Sequence, residues 1–195
     1  MKLLHSLLLS VSLALCAPAI QAAPFTLDST HTSVYFAASH FDRTMVRGRF
    51  NKVAGQIDYD EAKRTGSVDI SIEVDSVDTG VRTLDTMLKS GQFFEAARFP
   101  EIRFQSTRFE FDGERLHAVS GKLTLHGVSL SAQLLATRFS CGEIKVFLSR
   151  SHVCGGDFQT TIQRSAFGME RFLPDVGDAV QIMISIEATP ARLEQ

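Results

Sequence analysis

Val68-Asp69-Ile70-Ser71-Ile72-Glu73-Val74-Asp75 alternates apolar and polar residues over eight positions without a break. Successive side chains of an extended chain leave on opposite faces. This stretch therefore puts Val68, Ile70, Ile72 and Val74 on one side, and three carboxylates and a serine on the other. A helix would scatter both sets around its axis, whereas a strand with one face on a core and one in water separates them. Near the other end of the chain, Val180, Ile182, Ile184 and Ile186 stand in the same way against Gln181, Met183, Ser185 and Glu187.

Working outward, weaker runs of the same period include Val34, Phe36, Ala38; Val53, Gly55, Ile57, Tyr59; Ile102, Phe104; Val119, Gly121, Leu123, Leu125; Val128, Leu130, Ala132, Leu134; and Phe158, Thr160, Ile162. The apolar phase flips between Phe104 and Phe109, which predicts a bulge near Ser106. Turn chemistry such as Asp112-Gly113 and His126-Gly127 separates the runs. One stretch reads as helix: Thr79 as its cap, Val81, Leu84 and Leu88 at i, i+3 and i+7, and Gly91 as its end. Eight or nine consecutive strands with a single crossover helix make an all-β domain, either barrel or sandwich. No linker or repeat divides it.

The chain has 195 residues, 44% hydrophobic and 22% charged, which excludes disorder. Its formal charge of -2 supplies no field to hold nucleic acid. Aromatic volume is almost all Phe: 15 Phe, two Tyr and no Trp. Phe has no polar tip, so that volume is committed to dry surface.

Residues 1–22 read as a secretory signal peptide: Lys2 and His5, an apolar run from Leu7 to Leu15, and a small residue at Ala22 for cleavage before Ala23. The run is too short to anchor the chain in a membrane, for which roughly 20 residues are needed. Cys16 raises a lipoprotein alternative, which Leu15 disfavours because that position takes a small residue. The domain then spans 23–195 of a chain expected to be exported. It retains two cysteines, Cys141 and Cys154. In an exported chain an even count favours a disulfide, contributing about 3 kcal/mol, over a metal or redox pair, for which the spacing is wrong.

No nucleophile elbow, zinc helix, phosphate loop or dinucleotide fingerprint occurs. His31 and His40 flank one strand beside Asp28 and Asp42 and are the first candidates for acid/base work. The densest polar cluster runs from Asp75 to Asp85. There the helix start at Thr79, with Arg82, could seat a phosphate or another polar head group. The long apolar faces suit either a filled interior, which the residues alone favour, or a lumen for one apolar ligand.

Read in order, these segments resemble the YceI-like family. Its opening is matched by Phe25-Thr26-Leu27-Asp28, His31-Thr32-Ser33-Val34 and Phe36, and its middle by Ser76-Val77-Asp78-Thr79, Arg82, Asp85, Leu88, Phe93-Phe94 and Phe99-Pro100. The later blocks are matched by Gly121-x-Leu123-Thr124-Leu125-x-Gly127-Val128, Arg164-Ser165-x-Phe167-Gly168-Met169 and Val176-Gly177-Asp178. The segment between Leu125 and Asp157 departs most, with Val128-Ser129-Leu130 in place of a proline-containing turn.

The resemblance implies an antiparallel eight-stranded lipocalin-like barrel with one short crossover helix, exported to the periplasm. Its lumen would hold a prenyl pyrophosphate or the tail of an isoprenoid quinone, which turns the balance from a filled interior to a hollow one. Expected wall residues are Phe36, Ile57, Ile70, Ile72 and Phe104, continuing through Leu123, Leu125, Ile182 and Ile184. Phe93, Phe94 and Phe167 are expected to close the lumen, with Thr79 and Arg82 for the head group. No catalytic residue, metal or cofactor is expected beyond a bound isoprenoid lipid, and a homodimer is left open. The alternative is an enzyme or accessory acting on an isoprenoid quinone through His31, His40 or Asp85.

Overall fold

The alternating segments form eleven β-segments in a computed structural model that describes residues 25–191. The expected signal peptide lies outside the described residues. The segments are β1 (Phe25–Leu27), β2 (Ser33–His40), β3 (Thr44–Phe50), β4 (Val53–Asp60), β5 (Thr65–Glu73), β6 (Val77–Asp78), β7 (Glu101–Asp112), β8 (Arg115–Leu125), β9 (Val128–Val146), β10 (Ser149–Gln163) and β11 (Val176–Pro190). A helix, α1 (Arg82–Lys89), stands between β6 and β7.

Pairing reduces eleven segments to eight strands. β1 and β2 are two halves of one strand: β1 pairs with β4 while β2 pairs with β3, and both pair with β11 on the other side. β3 and β4 form a second broken strand, flanked by β6 and β5 in the same way. From there every strand pairs antiparallel with its successor until β11 meets the first, closing the ring. Closure removes the free edges that an open sheet of this size would leave.

The first of two register shifts on β7 falls between Ser106 and Arg108, where the apolar phase flips in the sequence, and the second between Glu110 and Phe111. Ser106 compensates locally, its Oγ accepting from the Val68 backbone N–H at 2.8 Å. Glycine provides the tightest packing on the inner face. A Cβ on Gly121 would stand 2.5 Å from Cζ of Phe104, so the ring reaches over the neighbouring strand only because nothing projects there.

Thr79 is not the helix cap. Val81 holds that place without a side-chain bond, because the Thr79 backbone N–H and hydroxyl both donate to Asp85, at 2.7 and 2.6 Å, and Gly80 turns the chain once more at φ 77°. The cysteines form a disulfide between directly opposed positions of β9 and β10.

Candidate functional site

Inward side chains do not fill the barrel. They enclose a cavity of about 590 Å³, within the roughly 300–1,000 Å³ of small-molecule sites. Its wall on β11 runs from Val176 to Ile186, about 33 Å of strand at 3.3 Å per residue, or about 25 Å along the axis of a barrel with strands tilted by about 40°. The lumen is deep, narrow and suited to a linear molecule.

The floor is a second apolar cluster. Phe25, Ile57, Tyr59, Cys154 and Ala188 are buried there, with Phe109, Phe111 and Phe139 against them. Tyr59 meets Phe139 edge-on at 5.3 Å and stacks on Phe109 at 6.0 Å, plugging the end opposite the helix. At the other end α1 lies over the opening, turning Leu84, Met87 and Leu88 inward at i, i+3 and i+4. Phe41, Met87 and Phe172 line the cavity while remaining 53%, 41% and 39% exposed, which locates the mouth. Phe93 stacks on Phe172 at 5.9 Å across it.

Of the residues singled out in the sequence, Phe36, Ile70, Ile72, Phe104, Leu123, Leu125, Ile182 and Ile184 meet on the wall, and Phe93 and Phe94 near the mouth. Ile57 belongs to the floor. Phe167 is buried behind the wall, where its carbonyl accepts from His126 Nδ1–H at 2.9 Å. Thr79 and Arg82 are not in the lining. Asp85 occupies the anion position at the helix start and takes both Thr79 donors.

The acid/base candidates do not converge. His40 ends β2 and His31 lies in the turn before its first residue, so the length of the strand, about 23 Å over seven steps of 3.3 Å, stands between them. His31 is exposed and paired with Asp28 at 2.8 Å, a hydrogen bond that raises its pKa, while the Thr30 hydroxyl first and His31 second hold Asp28 well below the usual carboxylate range. His40 lines the mouth and meets Phe41 at 4.5 Å between ring centres.

The lining has five polar residues: Thr32, His40, Thr160, Arg164 and Asp175. Arg164, 3% exposed, was given no role by sequence reading. Its guanidinium donates to the carbonyls of Gly177 at 3.0 Å, Val176 at 2.7 Å and Met169, and lies over the Phe93 ring at 5.7 Å. Burial lowers its pKa, opposed by the nearby Asp178 carboxylate. The geometry ties the loop from Met169 to Gly177, one lip of the mouth, to the end of β10. The signal available in the sequence was an arginine closing an alternating run inside a recognised block.

A profile described as the YceI-like domain matches residues 25–188. A UPF0312 protein of Shewanella baltica (strain OS195) is 30% identical over 189 residues, spanning 95% of this chain and 97% of that protein. A UPF0312 protein of Vibrio parahaemolyticus is 34% identical over 124 residues, 62% of this chain and 65% of that protein, slightly under two thirds of its length. Among solved structures, Burkholderia cenocepacia BcnA superposes with a TM-score of 0.73 at 24% identity, covering 84% of this chain and 99% of that one. A polyisoprenoid binding domain from Saccharophagus degradans, implicated in plant cell wall breakdown, superposes with a TM-score of 0.62 at 19% identity, covering 86% and 98%. At these identities the two structures establish the shared barrel alone.

Proposed function

The chain belongs to the YceI-like family, and from that premise we propose that it is an exported periplasmic carrier holding a polyisoprenoid, a prenyl pyrophosphate or the tail of an isoprenoid quinone, in its lumen without covalent chemistry. One observation carries the reading: a dead-end cavity of about 590 Å³ whose wall is apolar apart from five residues. An isoprenoid tail has nothing to hydrogen-bond, and each CH2-sized group moved from water to such a wall is worth roughly 0.8 kcal/mol. The tail can therefore supply the affinity, leaving the head group at the mouth beside His40 and Asp175. Arg164 already directs its donors to backbone carbonyls and acts on the lip of the mouth. The name of the Saccharophagus degradans domain supports the ligand class.

Thr79 and Arg82 hold a weaker place in this reading, since the head group would have to bend over α1 to meet them. Export is supported by the leader-like residues 1–22, and among the described residues no helix is long and apolar enough to cross a membrane. The reading is tested by exporting the chain in a quinone-producing bacterium, purifying it without detergent, and extracting it with organic solvent for mass spectrometry. A prenyl lipid approaching one per chain is expected. A lumen free of prenyl lipid, or filled with ordinary fatty acids, refutes it.

A further inference from the structure

β9 and β10 outrun the barrel. β9 leaves β8 after Leu135 and β10 joins β11 only from Cys154, so the paired stretches between them form a free two-stranded ribbon, stapled at its root by Cys141–Cys154. From the disulfide to the turn is about 20 Å of strand at 3.3 Å per residue. The ribbon rises from the floor end, steadied near its root by His152, whose Nε2 lies 2.6 Å from Glu61.

Its tip opposes what a hairpin needs for its own folding. The two-residue turn is Phe147-Leu148, 92% and 99% exposed, the most exposed large apolar side chains among the described residues. Phe147 has φ 53° at the first turn position, where glycine is the favoured residue and a bulky one is strained. Directly behind, Lys145 stands opposite Arg150, a like-charge cross-strand pair that weakens a ladder. Glu143 offsets part of this, 3.5 Å from Arg150. Ile144, one step further back, is 43% exposed.

We propose that this ribbon is a docking finger for an anionic lipid bilayer, with Phe147 and Leu148 entering the acyl boundary and Lys145 and Arg150 at the level of the phosphates. The charge pattern selects the occupant. Two cations collar an apolar point on a chain whose net charge is -2, so the field that would repel an anionic surface elsewhere is locally reversed. The like-charge pair and the exposed apolar tip are both relieved against such a surface. Because the finger springs from the floor end, docking turns the mouth away from that bilayer. The finger is a tether, and loading of the lumen does not pass through it.

The test uses the full exported chain and sedimentation with vesicles of phosphatidylcholine, with and without about one-third phosphatidylglycerol. The vesicles contain no isoprenoid, so the result does not depend on what the lumen holds. The wild type is expected to bind the anionic vesicles and to be released by added salt. Both Phe147→Ser with Leu148→Ser and the single change Phe147→Gly should weaken partitioning by about tenfold. Phe147→Gly should melt no lower than wild type, since it removes the φ strain, and both variants should keep their extractable lipid. Failure of the wild type to bind, or equal binding by the variants, overturns the proposal. So does sedimentation velocity showing a vesicle-free dimer that the double variant makes monomeric, because the tip would then serve a second copy of this chain.

Discussion

Arg164 packs a guanidinium against the lumen wall and directs its donors to three backbone carbonyls, so its effect is on the lip of the mouth. Arg164→Met keeps much of the volume and leaves those carbonyls without donors. The expected loss is about 3 kcal/mol, read from the denaturant midpoint, with Arg164→Lys intermediate because an ammonium cannot fork to three acceptors. Its neighbour Asp178 accepts from the Ser165 N–H at 2.8 Å and the Ser165 hydroxyl at 2.7 Å, which lowers its pKa from the ordinary 3.8. A carboxylate lowered on folding contributes stability that is full above its unfolded value and is lost as pH falls through its folded value. Asp69 beside Arg103, Asp78 and Glu110 are shifted in the same direction. The melting temperature should therefore hold from neutral pH down to about 5 and fall below about 4, with Asp178→Asn removing part of that slope and some stability at neutral pH. The phenylalanines show how far single residues were legible. Eight line the cavity, four make the floor and three (Phe99, Phe147, Phe167) do neither. Alternation places Phe36 and Phe104 inward, but nothing local distinguishes a ring on the wall from one in the floor, because that depends on height along the barrel.

At the scale of elements, strands and bulge followed from period and phase, both local properties. The helix was legible as an element but not in its start. Asp85 outcompeted the expected cap by drawing in Thr79, a contact between two polar residues six apart that no cap rule weighs. The β9–β10 ribbon was not legible, since the alternation in its outer half is confined to Glu143-Ile144-Lys145-Val146, too short a run to separate from a loop. The disulfide was, from the cysteine count and the expected export of the chain. Removing it with Cys141→Ser and Cys154→Ser should cost at most about 3 kcal/mol, the chain-entropy value for a loop of this size. Amide exchange should accelerate from Gly142 to Val153 while β7, β8 and β11 stay protected. Uniform acceleration would mean that the staple supports the barrel itself and not the ribbon.

For the whole molecule, closure is what converts apolar faces into a site. Each strand offers only a stripe, and the stripes become a lumen because the inward side chains of this eight-stranded ring leave about 590 Å³ unfilled, where a barrel of the same strand number can equally be packed solid. Hollowness was therefore not readable from the residues alone, which favoured a filled interior; it came with the family resemblance. One variant separates a holding lumen from a merely under-packed one. Ala132 lines the cavity opposite Gly121, and Ala132→Phe would place a ring in the channel without touching floor or mouth. The decisive measurement is native mass spectrometry of the exported wild type, of Ala132→Phe, and of the floor variant Ile57→Val. The account predicts a single prenyl-lipid adduct on the wild type and on Ile57→Val, and its loss from a folded Ala132→Phe. An adduct that survives Ala132→Phe, or a wild type with none, would contradict it.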